Sequence, residues 1–334
     1  MMAASPMRDQ SRRKFTALLG GAAAWPLAAR AQQSAVPVIG FLNSTSPGPA
    51  APLVTAFRDA LVRQGHVEGR NVAIEYRWAE GRYERLPAMA SDLVNRKVAL
   101  IAATGGVVTA KAAMSATSSV PILFIAGFDP VYEGLVTSIA RPTGNATGVS
   151  VYSAELGKKR LELLREIVPT NRVGFLVNPG SISTNLEVAD LQENTRSPDL
   201  QLVVLEARSD ADLDHAFEEA VRSDVGALLV SGDSFFTSRR DRIVALAARH
   251  KLPASYPWPE YADAGGFLSY GTTLAWAYGQ IGHYASRILR GAKPADLPVQ
   301  LPTTFEMVIN LQAARALGIT VSPFVLARAH RVIE

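Results

Sequence analysis

The chain has 334 residues, no cysteine and a formal net charge of +4. The length suggests about two ordinary domains, and 48% apolar with 19% charged residues is the balance of a globular protein with ample core. Without cysteine there are no disulfides, thiolate metal sites or cysteine nucleophiles, and scattered basic residues with no long Lys/Arg run do not point to nucleic acid.

The N-terminus reads as an export signal. Ser11-Arg12-Arg13-Lys14-Phe15-Thr16 is a twin-arginine pattern, Ala17 to Ala29 is apolar and small, and Ala29-Arg30-Ala31 is an A-x-A cleavage site. At roughly 13 residues the apolar segment is shorter than the ~20 a bilayer needs. Residues 1–31 are therefore expected to be removed and the mature chain to be periplasmic.

From Val36 the chain alternates strand and helix. Strands are expected at 36–42, 72–76, 98–103 and 120–126, with helices around Leu53–Val62, over 84–96 and over 107–116. Ile122 to Ala126 reads as the last strand of a first unit. Gly127-Phe128-Asp129-Pro130 is then its ligand loop, Leu135, Val136 and Ile139 a short helical pattern, and Thr147–Ser150 the crossing into a second unit. The alternation restarts with helices at 156–168, 184–195, 209–222 and 238–250 and strands at 172–177, 202–206, 225–230 and 253–256. A strand at 265–271, a long helix at 274–289, an extended segment at 294–302, a strand at 304–309 and a helix at 311–317 look like further connections between the units.

The five histidines lie far apart, with no metal-ligand spacing, and no G-x-S-x-G elbow, P-loop or complete dinucleotide fingerprint occurs. No catalytic residue, metal site or cofactor is expected. Strand-exit loops that open helices present free N–H groups suited to a small anion; those at Ser44–Ser46 and Thr104–Gly106 are candidates, or ordinary caps and turns. Asp129 and Asp233 sit at strand exits, where each would meet a ligand ammonium or cap the next helix. Of the aromatics gathered in the second unit, Tyr152 and Tyr256 are the preferred ligand contacts, whereas Phe236 and Trp258 read as core.

Several long stretches carry a family resemblance: GFDPVYEGLVTSIARPTGNATGVS (127–150), LGKKRLELLREIVPTNRVGFLVNP (156–179), FFTSRRDRIVALAARHKLPASYP (235–257), AGGFLSYG (264–271) and ILRGAKPADLPVQLPTTFEMVINLQAARALG (288–318). Together they make the chain resemble the bacterial ABC-transporter substrate-binding proteins of tryptophan and tyrosine type. One departure is Phe128, where the family tends to a small residue before Asp-Pro. The resemblance implies a type I periplasmic-binding-protein fold, two Rossmann-like lobes with parallel sheets joined by a multi-crossing hinge. It implies lobes of 36–150 plus about 272–302, and 151–271 plus about 303–334. It further implies a non-enzymatic importer component with a small-molecule ligand and an ABC permease as partners; a monomer is the default expectation. The implied ligand contacts are Ser44, Thr104, Gly105 and Asp129 in the first lobe and Tyr152, Asn178, Asp233 and Tyr256 in the second. A ligand sensor for a membrane receptor and an exported α/β enzyme are the alternatives.

Overall fold

The computed structural model describes Met1, residues 36–194 and residues 200–334. The chain divides into two units, Met1–Val36 and Pro37–Glu334, and the second holds the fold. The expected export signal lies outside the described residues.

Short runs of apolar residues build a first sheet of five parallel strands: β1 (Val38–Asn43), β2 (Ala73–Trp78), β3 (Leu100–Ala103), β4 (Ile122–Ala126) and β5 (Ala146–Ser150). Their order is β2-β1-β3-β4-β5. Ile39, Phe41, Leu100, Leu123 and Phe124 are fully buried, as expected of parallel strands covered on both faces. Helices α1 (Pro47–Arg63), α2 (Leu86–Asn95) and α3 (Val107–Ala116) connect these strands.

The second sheet has seven strands in the order β12-β11-β10-β9-β8-β6-β7. These are β6 (Arg172–Val177), β7 (Gln201–Glu206), β8 (Ala227–Val230), β9 (Ala254–Tyr256), β10 (Leu268–Gly271), β11 (Glu306–Asn310) and β12 (Arg331–Ile333). Helices α4 (Gly157–Ile167), α5 (Thr184–Asn194), α6 (Asp210–Arg222), α7 (Ser234–Ser238), α8 (Arg240–Arg249) and α9 (Pro259–Asp263) lie along the way. α6 starts where its sequence calls for it: Ser209 Oγ accepts the Asp212 N–H at 3.1 Å.

After β10 the chain returns to the first sheet. Helix α10 (Leu274–Leu289) packs on α1 and against β3, β4 and β5. The approach is close because Gly282 faces Phe57, where a Cβ would lie 2.4 Å from the Phe57 carbonyl oxygen. Residues 297–300 then run along β5, with Val149 bridged to Gln300. The chain finally crosses back to lay β11 beside β10, followed by α11 (Leu311–Ala316), α12 (Pro323–Leu326) and β12.

Four sequence expectations need correction. Residues 127–145 form no helix; Leu135 and Val136 are buried in the first core from turns instead. Thr147–Ser150 pairs with β4 as the fifth strand of the first sheet, so β4 is not the last. The expected 238–250 helix breaks at Arg239, where α7 ends and α8 begins. The second sheet is not wholly parallel, since β11 runs antiparallel to β10.

Candidate ligand-binding site

Strand order locates the site. In a parallel sheet ordered 2-1-3-4-5, the direction in which successive strands are added reverses between strands 1 and 3, and ligands sit at the strand ends there. In the first sheet that point lies between β1 and β3, and in the second between β6 and β8. The loops leaving these four strands carry Ser44, Thr104, Asn178 and Asp233.

The β1 and β3 exits are locked together. Buried Asn43 donates through Nδ2 to Thr104 Oγ1 and to the Tyr278 hydroxyl, each at 3.0 Å. Its Oδ1 accepts the Thr45 N–H at 2.8 Å. Tyr278, on α10, donates in turn to the Thr104 carbonyl at 3.0 Å. Ser44 Oγ donates to the Gly105 carbonyl at 2.8 Å. Gly106 precedes α3 with a left-handed φ of 84°. The N–H groups of Val107 and Val108, in the first turn of α3, have no acceptor among the described residues. α1 offers less, because Pro47 and Pro49 in its first turn carry no N–H. The start of α10 is satisfied internally: Glu260 Oε1 accepts the Leu274 N–H and Thr273 Oγ1 accepts the Trp276 N–H.

On the second lobe, Asp233 caps α7, its Oδ1 accepting the Phe235 N–H at 2.8 Å and Asn178 Nδ2 at 2.9 Å. Loss of solvent pushes the Asp233 carboxyl up, against the downward pull of these bonds and of Tyr83. Trp258 follows β9 and donates through Nε1 to Thr237 Oγ1 at 3.2 Å. Between the lobes lies a small cavity, with about 560 Å³ of space free of protein atoms counting the part open to solvent. Thr104, Gly105, Gly106, Leu53 and Tyr278 line it from the first lobe, and Ser234, Thr237 and Trp258 from the second. None of its lining residues is charged.

The lobes touch across this cavity. The Tyr83 hydroxyl, in the turn before α2, donates to Asp233 Oδ1 at 3.3 Å, and Asn178 Nδ2 lies 3.4 Å from the same hydroxyl. A Cβ on Gly106 would stand 3.0 Å from Ser234 Oγ. The crossing segment is pinned as well: Ser153 Oγ donates to the Gly127 carbonyl at 3.0 Å, and buried Arg160 donates to the carbonyls of Ser153 and Val230. This is a closed arrangement.

Residues 45–333 match the family described as ABC transporter substrate binding protein. The chain belongs to this family. A relative from Clostridioides difficile named tyrosine-binding protein is 26% identical over 262 residues, 78% of this chain and 75% of the relative. A conserved domain protein from Vibrio cholerae matches with a TM-score of 0.81 and 26% identity, covering 89% of this chain and 99% of its own. An ABC domain in complex with L-Trp from Streptococcus pneumonia matches with a TM-score of 0.79 and 25% identity over the same shares. The two α/β lobes are those of a type I periplasmic binding protein. Members of the family take a small-molecule substrate, serve an ABC permease and are typically extracytoplasmic.

In this substrate-binding protein, two of the eight expected contacts, Thr104 and Gly105, line the cavity. Ser44 stands behind them, fully buried, holding Gly105. Asn178 and Asp233 form the inter-lobe cluster with Tyr83. Asp129 is turned to its own loop, where Oδ1 accepts the Val131 N–H at 2.8 Å, and Tyr152 sits on the crossing with a left-handed φ of 52°; neither lines the cavity. Tyr256 is corrected outright. It is 1% exposed and stacked on Tyr261, ring centroids 4.7 Å apart, inside the second lobe. Trp258, read as core, is indeed buried in it and also forms part of the cavity wall. Tyr83 and Tyr278 were not anticipated, and no local pattern marks them.

Replacing Tyr83 with Phe removes the hydroxyl that joins the lobes and leaves Asp233 with its other two donors. Ligand affinity is expected to fall by about 1 kcal/mol, the net worth of one such bond, with the change in the dissociation rate. Stopped-flow fluorescence checks this; an unchanged off-rate shows that the contact does not hold the closed state.

Proposed function

We propose that the protein captures an aromatic amino acid between its lobes and presents it, closed, to an ABC permease. The observation that carries this reading is the uncharged cavity bounded by the α3 N-terminus on one lobe and Trp258 on the other. A carboxylate suits the free N–H groups of Val107 and Val108, and an aromatic ring suits the indole of Trp258. The tyrosine-binding relative and the neighbour with bound L-Trp support the ligand class. In this reading the lobes comprise 36–150 plus about 272–302, and 151–271 plus about 303–334. The chain acts in the periplasm as a monomer, after removal of residues 1–31, and neither catalyses a reaction nor binds nucleic acid.

Ligand contacts with both lobes shift an open population toward the closed one. Moving it from 1:99 to 99:1 requires roughly 5.5 kcal/mol of differential binding. Of the expected ligand residues, Thr104 and Gly105 keep direct roles, Ser44 positions them, and Asn178 and Asp233 complete the closed state.

A second reading is favoured by the uncharged lining. Asp233 is engaged as a cap, so an ammonium would meet hydroxyls and carbonyls in place of a carboxylate. An aromatic acid without an amine would then bind as well as an amino acid. Thermal shift with L-tryptophan, L-tyrosine, indole-3-acetate and tryptamine separates these. Ligand at 100 times its Kd adds about 2.7 kcal/mol of stability. Stabilisation by both acid types and none by tryptamine would favour the second reading. Stabilisation by the two amino acids alone would favour the first, and no response to any of the four would overturn both.

A further inference from the structure

The lobes meet a second time, through a carboxylate that the ligand cavity does not use. Glu133, in the loop between β4 and β5, is only 9% exposed. Its Oε1 accepts a hydrogen bond at 2.7 Å from Ser183 Oγ, just before α5 on the other lobe. Its Oε2 is buried with no partner among the described residues.

The surroundings are acidic. Asp129 bears on Glu133 from the same loop. Glu155, on the crossing before α4, has a buried Oε2 without a partner, and Glu187 on α5 feels both Glu133 and Glu155. Asp190, paired with Lys158 at 3.0 Å, bears on Glu155, and Asp233 on Glu187. Besides Lys158, two cations oppose them. Lys111 on α3 donates to the Gly134 carbonyl at 3.3 Å, and Arg160 is occupied by the carbonyls of Ser153 and Val230. Neither forms an ion pair with Glu133 among the described residues.

We propose that the Glu133–Ser183 seam is a proton-binding site and that closing the lobes takes up a proton from solvent on Glu133. Three separate features support it: the inter-lobe bond, the unpartnered oxygen and the like charges around it. A carboxylate moved out of water among other carboxylates favours its neutral form. Burial accordingly pushes Glu133 up to about 7, with Asp129 adding and Ser183 and Lys111 opposing. Burial pushes Glu155 to about 7 as well, and Glu187 to about 8. With the lobes apart Glu133 is hydrated and titrates near ~4.3, the ordinary glutamate value. The closed form is then favoured at low pH. Above the open-state value the open form loses its proton first, so the closed-to-open ratio falls up to tenfold per pH unit. The fall levels off once the closed form ionises too.

The effect is independent of ligand identity and is tested without ligand. Exposed Thr55 on α1 and Glu218 on α6 are replaced by cysteine, which the chain otherwise lacks, and spin-labelled to read the lobe separation. The closed-to-open ratio is expected to fall more than tenfold from pH 5 to pH 8. Glu133→Gln, a permanently neutral isostere, is expected to lose most of this change and to stay more closed than the parent at pH 8. Ser183→Ala, which removes the partner from the other lobe, is expected to be less closed than the parent at pH 8. A ratio that does not move with pH, or a Glu133→Gln profile that follows the parent, overturns the proposal.

Discussion

Gly105→Ala is expected to cost about 3 kcal/mol of stability and to weaken ligand binding at least tenfold. A methyl group at this position would lie 2.2 Å from the Ser44 nitrogen, 2.5 Å from its Oγ and 2.6 Å from Thr109 Oγ1. The nearest of these atoms is backbone, so the β1 and β3 exits have to part. That breaks the Ser44–Gly105 bond and turns the start of α3 away from the cavity. Gly279, inside α10, provides the control, because a Cβ there meets nothing within 4 Å. Gly279→Ala should gain about 0.5–1 kcal/mol from reduced chain freedom in the unfolded state. Calorimetry and ligand titration of both variants check this; a Gly105→Ala protein that melts and binds like the parent would show that the loops separate at no cost.

Trp258→Ala should have the larger effect on binding. The indole is 2% exposed and fills the space between Gly232 and Gly271. Truncation removes the wall, takes one donor from the Thr237 hydroxyl, which keeps its own bond to the Asp233 carbonyl, and leaves a void, for which about 3–5 kcal/mol of destabilisation is expected. Affinity for L-tryptophan is expected to fall by about 2 kcal/mol or more, as at other buried aromatic anchors. Trp258→Phe separates packing from hydrogen bonding, since it keeps a ring but not the donor to Thr237. It should recover most of the melting temperature and only part of the affinity. Isothermal titration of the two variants side by side is the measurement, and equal affinities in all three proteins would remove Trp258 from the site.

The strand–helix alternation was readable because strands buried on both faces leave unbroken apolar runs such as Val173–Val177. The ligand loops followed, because ligands collect where strands end. Which exits face one another was not readable: that depends on the order β2-β1-β3 and β7-β6-β8, which arises from pairing between distant segments. Tyr256 and Trp258 show how fine the difference is. Side chains two apart point to one side, but Tyr256 lies within β9 and is swallowed by the core, while Trp258 lies just past its end and reaches the cavity. Asp233 could equally cap a helix or hold a ligand, and only the distance to the Phe235 N–H decides for the cap. Leu135, Val136 and Ile139 have helical spacing but follow Asp129-Pro130, and the loop buries Leu135 and Val136 through turns. Tyr83 gives no local signal, because its partners belong to the other lobe.

The packing of α10 on α1 has a consequence for how the protein is made. Asn43 and Tyr278 are hydrogen-bonded although they stand 235 positions apart in the chain. A growing chain thus emits the whole first sheet, then most of the second, before the helix that covers α1 leaves the ribosome. Until then Phe57, Ala60 and Leu61 have no cover from Ile281 and its neighbours. Contacts this distant in sequence form slowly and leave apolar surface exposed in the meantime. Fragments ending before residue 274 should therefore be sticky and poorly soluble, with the apolar face of α1 left uncovered.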